Sequence, residues 1–384
     1  RMGLPSCQHD YARYRDGQNC GHDRRETPSH LCKRGRRWRY ATGLITGCLL
    51  LLSAQFLSAE TLRIATYNTE LSRKGPGLLL RDITSGKVPQ VIAVLDIIKN
   101  AQPDVIALQG FDYDLTNLAL RLFADQAGYP HIFAARPNTG MATGLDLNGD
   151  GRLGGPNDAQ GYGRFSGHRG MAVMSKFPID AGQVQDFSAL LWRDVPYPSL
   201  PVLNGKPFLT AEVLGAQRLS NTGHWIVPID APGGAFHLMT FHATPPVFDG
   251  PEDRNGNRNH DEIRLWQQFL NGHIGEPIAT PFVIAGDANL APYAGEGRRS
   301  AIINLLADQR VQDAKPRGHS PTQDTDTVNW SEPTPGNMRV DYVLPSVEWT
   351  ITDSGVLWPK PSDPLADIAK TASRHHLVWV EITR

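Results

Sequence analysis

The stretch Leu62-Arg63-Ile64-Ala65-Thr66-Tyr67 alternates apolar and polar side chains, and Asn68 follows it. This alternation is typical of a β-strand, and an asparagine is a common turn residue at a strand end. Similar short segments predict further strands over residues 105–108, 171–174, 208–213, 225–227, 236–241, 281–285, 339–344 and 377–382. Helical spacing predicts helices over 88–98, over 115–127 and from Asn259, where Glu262 would complete a capping box. This order of elements indicates the α/β class, with two packed sheets flanked by helices.

The first 59 residues differ in character from the rest of the chain. They carry ten Lys and Arg against four Asp and Glu, together with all four cysteines. A cationic segment at 33–39 precedes an apolar run at 41–57, the pattern of a secretory signal cleaved after Ala59. Two alternatives are an uncleaved membrane anchor and a lipoprotein box ending at Cys48. We therefore predict that residues 1–59 are an extension and signal peptide.

Residues 60–384 are predicted to form one working domain. This part holds no cysteine, which excludes a disulfide framework, a thiolate metal site and a cysteine nucleophile. Its net charge of −7 argues against bulk attraction to nucleic acid, although a local basic groove stays compatible with it. With 40% hydrophobic and 20% charged residues, the whole chain is neither disordered nor a coiled coil.

Several short polar motifs stand at the ends of predicted strands, where side chains from separate elements can converge. They are Thr66-Tyr67-Asn68, Thr240-Phe241-His242, Gly286-Asp287-Ala288-Asn289, Arg339-Val340-Asp341-Tyr342 and, opening the last strand, Ser373-Arg374-His375-His376. Each motif alone also occurs as a turn signal or as a structural histidine. Their order and spacing together indicate a catalytic site.

With these motifs, and with Gln102-Pro103-Asp104-Val105-Ile106-Ala107-Leu108-Gln109, the chain resembles the endonuclease/exonuclease/phosphatase family of metal-dependent phosphoesterases. The resemblance spans roughly residues 62–383. It implies a four-layered α/β sandwich of two packed mixed sheets flanked by helices. It also implies a catalytic site at one edge of both sheets.

The resemblance assigns roles to five residues. His375 is the candidate general base, since an unperturbed imidazole titrates near neutrality. Asp341 would orient the imidazole ring and stabilise the imidazolium. Asp287 would align the attacking water or share a metal ion, and Asn289 would donate a hydrogen bond to the pentavalent phosphorus centre. His242 would bind the phosphoryl group or assist the leaving group.

The metal ligands depart from the family pattern. Asn68 matches a metal-binding asparagine, but Gly110 replaces the family's principal glutamate and Arg374 replaces a second carboxylate. Asp112 or Asp114 could reach the same ion. We therefore expect at most one catalytic Mg²⁺ or Mn²⁺, held by Asn68 with one of these aspartates and shared with Asp287. Arg374 would bind the substrate phosphate, or else point outward and pair with a surface acid.

One loop has the opening pattern of a calcium site. Its candidate ligands are Asp146, Asn148, Asp150 and Asp158. A second candidate segment, 253–262, has Arg258 where glycine is needed. Alternatively, both segments are Asx-rich turns without an ion, or the acids of 249–253 face the catalytic cleft and restore its metal charge. The loop predicts a structural Ca²⁺ site.

We therefore predict an exported, metal-dependent phosphoesterase that hydrolyses phosphodiester bonds, first of all an endonuclease or exonuclease. Alternatives are a phosphodiesterase or phosphatase for phospholipids or small phosphoesters, and an inactive calcium-stabilised binding module. The expected partner is a phosphoester substrate, with nucleic acid among the candidates and no obligate protein partner. The protein would be periplasmic or secreted, and it would meet a membrane only during export.

Overall fold

The computed structural model describes residues 60–279 and 281–384. The predicted signal peptide and its cleavage after Ala59 lie outside the described residues. Within the described part, no helix is both long and apolar enough to cross a membrane.

The described residues form strands and helices in an alternating order. The strands are β1 Leu62–Asn68, β2 Val105–Phe111, β3 His131–Phe133, β4 Gly170–Ser175, β5 Gln185–Asp186, β6 Val202–Leu203, β7 Lys206–Pro207, β8 His224–Ile229, β9 Phe236–His242, β10 Phe282–Asp287, β11 Asp341–Pro345, β12 Thr350–Val356 and β13 Val378–Thr383. The helices are α1 Leu78–Ser85, α2 Pro89–Ala101, α3 Leu118–Ala127, α4 Ala211–Ala216, α5 Arg254–Leu270, α6 Ser300–Leu306 and α7 Leu365–Ala372.

Two mixed sheets dominate the fold. One has six strands in the order β12-β13-β1-β2-β4-β3, and the other has five in the order β11-β10-β9-β8-β5. Strand β1 runs parallel to β2, and β9 runs parallel to β10, whereas the other pairs in both sheets are antiparallel. A separate two-stranded ribbon joins β6 and β7.

The alternation along β1 directs successive side chains to opposite faces of the six-stranded sheet. Leu62 and Ile64 pack into the core between the sheets, which also contains Trp225 from the facing sheet. Ala65 and Tyr67 point the other way, into a core built with α1, α2, α3 and α7. Because other layers pack on both of its faces, β1 is almost wholly buried.

The outer face of the five-stranded sheet is covered in the same manner. Met239 and Phe241 of β9 pack against Ile263 and Trp266 of α5, and α6 completes this layer. The layers are therefore helix, sheet, sheet and helix. The predicted four-layered α/β sandwich is confirmed.

Two local predictions were wrong. Residues 208–213 do not form a strand: Thr210 caps the start of α4 by accepting a hydrogen bond from the nitrogen of Val213. Helix α5 begins at Arg254, five residues before Asn259, so no capping box forms there. Glu262 instead accepts hydrogen bonds from backbone nitrogens of neighbouring loops, because it is buried inside the helix–sheet layer.

Candidate active site

Strand ends from both sheets meet at one edge of the sandwich. In the ladder between β10 and its two neighbours, Asp287 stands opposite His242 on one side and opposite Asp341 on the other. Asn68 ends β1, and His375 lies three residues before β13, which pairs with β1. Adjacent antiparallel and parallel strands therefore place the predicted polar residues side by side.

The imidazole of His375 is held by Asp341. Its Nδ1 lies 2.9 Å from Oδ2 of Asp341, which also accepts a hydrogen bond of 2.8 Å from the hydroxyl of Thr327. Trp330 packs edge-on against the imidazole, with ring centroids 5.9 Å apart. Since Nδ1 is engaged, Nε2 is the ring nitrogen on the side of Asn68, 3.5 Å from its amide nitrogen.

Asp287 is the centre of the remaining contacts. Its Oδ2 accepts a hydrogen bond of 2.9 Å from the side-chain amide of Asn68 and lies 3.5 Å from Nε2 of His242. Its Oδ1 accepts a hydrogen bond of 2.8 Å from the backbone nitrogen of Asn289. The Asn289 side chain donates to the carbonyl of Ala243, which fixes the turn after β10.

The electrostatics of this group follow from burial and neighbouring charge. Burial opposes the charged imidazole of His375, but the carboxylates of Asp341 and Asp287 outweigh it and raise the pKa to about 9. Burial, with the charges of Arg169 and His375, lowers the pKa of His242 to about 3. Burial and the nearby Asp341 carboxylate raise the pKa of Asp287. The structure thus favours a charged imidazole at His375 and a neutral one at His242.

A cleft of about 730 Å³ opens above these residues. His242, Asn289 and His375 lie among its lining residues. The remaining lining combines cationic and aromatic side chains with short polar ones. Its cations and aromatic residues are Arg169, Arg254, Arg258, Arg374, Tyr162, Phe248 and Trp330.

Backbone strain concentrates around the cleft. Four of its lining residues have left-handed backbone conformations although none is glycine: Glu70 (φ 49°), Arg169 (φ 54°), Phe248 (φ 68°) and Asn289 (φ 49°). Each such conformation costs about 1–3 kcal/mol and persists only where surrounding contacts impose it. Such strain is more common at functional sites, and it gives no signal in the sequence.

Gly110 shows why the carboxylate expected at the end of β2 is missing. Its φ is 68°, and a β-carbon there would lie 2.5 Å from Oδ1 of Asn68 and 3.0 Å from the nitrogen of Glu70. Any larger residue would force Asn68 to move. The space that a glutamate side chain would need at this position is therefore occupied by Asn68 and Glu70.

Glu70 is the carboxylate that sequence reasoning missed. It lies two residues beyond Asn68 and lines the cleft, where it binds Arg374. Although burial opposes its charge, the hydrogen bonds from Arg374 lower the pKa of Glu70 to about 2. Its position just after the Asn68 motif was the available signal. Arg374 lines the cleft, but its exposed guanidinium pairs with an acid, as the alternative prediction had it, so binding of the substrate phosphate stays a prediction.

The predicted metal ligands Asp112 and Asp114 already accept hydrogen bonds from the main chain, and a metal role for them stays a prediction. Asp112 accepts hydrogen bonds from the backbone nitrogens of Arg73 and Arg169, and burial raises its pKa to about 6. Asp114 binds the backbone nitrogens of Leu118 and Ala119 at the start of α3. Both carboxylates are therefore occupied by main-chain donors.

A divalent ion fits one part of the site. Among the described residues, one group of three His, Cys, Asp or Glu side chains brings ligand atoms within 4.8 Å of one another: Asp287, Asp341 and His375. Oδ1 of Asp341 is buried and has no hydrogen-bond partner within the described chain, so it could serve as a free ligand atom. The opposite side fits an ion poorly, since Arg374 already holds Glu70.

The predicted calcium loop folds on itself. Asp146 accepts hydrogen bonds from the backbone nitrogens of residues 149–151, and Asn148 donates to Asp150. Asp158 is buried and binds the backbone nitrogens of Leu147 and Gly155. This geometry is that of an Asx-rich turn, one of the two alternatives, and a Ca²⁺ ion here stays a prediction.

The other acidic segments do not provide cleft carboxylates. Residues 254–262 belong to α5, so the second candidate calcium loop was wrong. Asp253 pairs with Arg298, while Asp249 and Glu252 accept hydrogen bonds from the backbone nitrogens of Asn255 and Gly250. None of these three acids lines the described cleft.

Comparisons with known proteins agree with this arrangement. Residues 65–375 match the model of the Endonuclease/Exonuclease/phosphatase family. An endonuclease/exonuclease/phosphatase structure from Beutenbergia cavernae is 19% identical, with a TM-score of 0.50 over 84% of this chain and 71% of that one. Sphingomyelinase C from Streptomyces griseocarneus is also 19% identical, with a TM-score of 0.45 over 84% and 99% of the two chains. No curated protein matches the chain. At these identities the solved structures bear on the fold alone.

Proposed function

The chain belongs to the Endonuclease/Exonuclease/phosphatase family, whose members are hydrolytic phosphoesterases, and we propose that it hydrolyses phosphodiesters of limited size. The observation that carries this proposal is the buried His375–Asp341 pair beside Asp287, of which His375 lines the cleft. A buried, carboxylate-bound imidazole next to a second carboxylate supplies the two proton-transfer groups that such hydrolysis needs.

The proposed roles follow from the charges. His375, protonated near neutral pH, donates a proton from Nε2 to the departing alkoxide, while Asp341 keeps the ring oriented. Asp287, whose pKa burial raises, accepts a proton from the attacking water. The raised pKa of His375 favours this acid role over the base role expected from an unperturbed imidazole. His242 and Asn289 line the cleft, where they would contact the phosphoryl oxygens.

Family members generally depend on divalent metals, and we propose that the carboxylates of Asp287 and Asp341 would hold one Mg²⁺ or Mn²⁺, Asp341 through its unpaired Oδ1, while His375 keeps its proton. When bound, such an ion neutralises charge on the phosphoryl group and orients water. Carboxylate-rich donor sets favour these hard cations. The single ion agrees with the sequence-based expectation, although the ligands differ from Asn68, Asp112 and Asp114.

The size of the cleft favours small substrates. About 730 Å³ lies within the range of pockets for small ligands, and the acidic body would repel a long polyanion. The aromatic residues Tyr162 and Phe248 at the cleft favour a second candidate, the end of a nucleic acid strand whose bases stack there.

The test compares substrates of increasing size. The chain is assayed on bis-p-nitrophenyl phosphate, a dinucleotide, sphingomyelin vesicles and plasmid DNA, each with Mg²⁺, Mn²⁺ or Ca²⁺. We expect turnover of the small diesters and little of plasmid DNA. Faster turnover of DNA than of the dinucleotide would favour the nuclease, and no turnover of any substrate by folded protein would contradict the phosphodiesterase.

We also propose that the protein is exported, on the evidence of the cationic and apolar segments before Ala59. Expression in a bacterial host with fractionation, followed by N-terminal sequencing of the periplasmic or secreted form, tests this. A mature chain beginning at Glu60 is expected. A full-length cytoplasmic product would contradict export.

A further inference from the structure

Arg169 is a cation of the cleft that the proposed mechanism does not yet use. It directly precedes β4, is exposed, and lines the cleft. Its charge acts on His242, which lies 3.5 Å from Asp287. Within residues 60–279 and 281–384, no ion pair, side-chain hydrogen bond or aromatic ring engages its guanidinium.

The guanidinium groups of the other cleft arginines already have hydrogen-bond partners. Arg374 binds Glu70, and Arg254 donates to the carbonyl of Leu147. Arg258 is buried, and its guanidinium donates to four backbone carbonyls, those of Gln160, Arg218, Leu219 and Ser220. Arg169 is therefore the cleft arginine whose guanidinium has no partner within the described chain.

The backbone of Arg169 is fixed although its side chain is exposed. Its nitrogen donates a hydrogen bond of 2.9 Å to Oδ1 of Asp112, and Oδ2 of the same carboxylate binds the nitrogen of Arg73. Nearby, Gly167 accepts a hydrogen bond from Tyr113. These contacts hold Arg169 in its left-handed conformation at φ 54°. Asp112 thus positions the backbone of Arg169.

We propose that Arg169 binds the non-bridging oxygens of the substrate phosphate above His242. This inference rests on the proposed phosphoesterase function and deepens it. A planar guanidinium matches two phosphoryl oxygens at once and stays charged at every working pH. The hydrogen bond from its backbone to Asp112 fixes the residue at the edge of the cleft. Arg169 then supplies, with a fixed charge, the neutralisation that a second ion would otherwise provide.

The test measures binding of inorganic phosphate by calorimetry, with EDTA present and again with Mg²⁺. Compared with the wild type, Arg169→Ala should bind phosphate at least tenfold more weakly under both conditions. The affinity of Arg169→Lys should lie between those of the wild type and Arg169→Ala. The matched control is Arg164→Ala, an exposed arginine of the same loop that does not line the cleft. It should bind like the wild type. Circular dichroism checks that all variants are folded.

Unchanged phosphate affinity in folded Arg169→Ala would overturn the inference, as would equal losses in Arg164→Ala. The substrate assays separate this failure from failure of the proposed function. If small phosphodiesters are hydrolysed with the same KM by Arg169→Ala, the function stands and the role of Arg169 falls. If nothing is hydrolysed but phosphate binding depends on Arg169, the binding site stands and the function falls.

Discussion

The carboxylate of Glu70 accepts hydrogen bonds of 2.9 Å from both the backbone nitrogen and the guanidinium Nε of Arg374. The two charges neutralise each other at the side of the cleft where Gly110 leaves no carboxylate. The departure of Gly110 and Arg374 from the family pattern is thus one connected change rather than two separate losses.

Removal of Arg374 should therefore strengthen metal binding. Unit charges about 4 Å apart interact by about 4 kcal/mol at an effective dielectric of 20, and exposure of the guanidinium reduces this. We expect Arg374→Ala to raise Mn²⁺ affinity about tenfold in calorimetry, because Glu70 becomes available. Arg317→Ala, which breaks a surface pair with Asp324, is the control. Equal affinities in the two variants would argue against this coupling.

The Asp341–His375 pair predicts a pH profile. Because Asp341 helps raise the pKa of His375 to about 9, an acid role means that activity is present below that pH and lost as pH rises through it. Asp341→Asn should move this alkaline limb toward the ordinary value of about 6.5 and lower kcat about 10²–10⁴-fold. The measurement is kcat against pH for both proteins. A rate that rises with pH through the same region would instead indicate the base role.

Metal and proton should compete for the same site. Burial and the Asp341 carboxylate raise the pKa of Asp287, so an ion held by these two carboxylates would displace the proton that Asp287 otherwise binds. Apparent Mn²⁺ affinity should then rise as pH rises toward neutrality and level off above it. Calorimetry in buffers of different ionisation enthalpy counts the released proton. An affinity that is flat with pH would place the ion elsewhere.

Glu262 predicts an effect on stability. It is buried in α5 and accepts hydrogen bonds from the backbone nitrogens of Asn221 and Thr244, two residues beyond His242. Glu262→Gln keeps one acceptor and turns an amide toward the other nitrogen, so the free energy of unfolding should fall by about 1–3 kcal/mol. Urea denaturation measures this. Glu276→Gln, at an exposed position, should change little.

The carboxyl group of Glu262 also determines how the free energy of unfolding changes with pH. Burial raises the pKa of Glu262 to about 7, above its ordinary 4.5, so the folded protein binds this proton more tightly than the unfolded chain. Its contribution to stability is therefore full below about pH 4.5 and declines as pH rises toward 7. Glu262→Gln should remove this slope. A slope that persists in the variant would assign the proton to another group.

Parts of the fold that depend on local pattern could be read from the sequence. The alternation of β1 and the apolar run of β10 report burial directly, and the polar residues after them report strand ends. Helix α5 was harder, because its inward face carries Arg258 and Glu262, which are satisfied by loops far away in the chain. Hydrophobic spacing marks this helix only from Ile263 onward, so its first residues resembled a loop.

The site residues also divide into those that local sequence pattern predicts and those that depend on distant contacts. Asp287, Asp341 and His375 stand in motifs whose position at strand ends predicts convergence. Glu70 and Arg169 depend on left-handed backbone conformations and on contacts between distant segments, which single-sequence spacing does not carry. The contacts of Asp112 with the backbone nitrogens of Arg73 and Arg169 likewise join segments that are distant in the chain.

The most direct test of the account is the role of His375 in phosphodiester hydrolysis. The measurement is kcat/KM on bis-p-nitrophenyl phosphate, with saturating Mg²⁺ or Mn²⁺, for the wild type, His375→Ala and His319→Ala. His319 is exposed and does not line the cleft, so its removal controls for loss of a histidine. The account predicts a loss of about 10²–10⁴-fold in His375→Ala and none in His319→Ala. A folded His375→Ala protein that keeps the wild-type rate would contradict it.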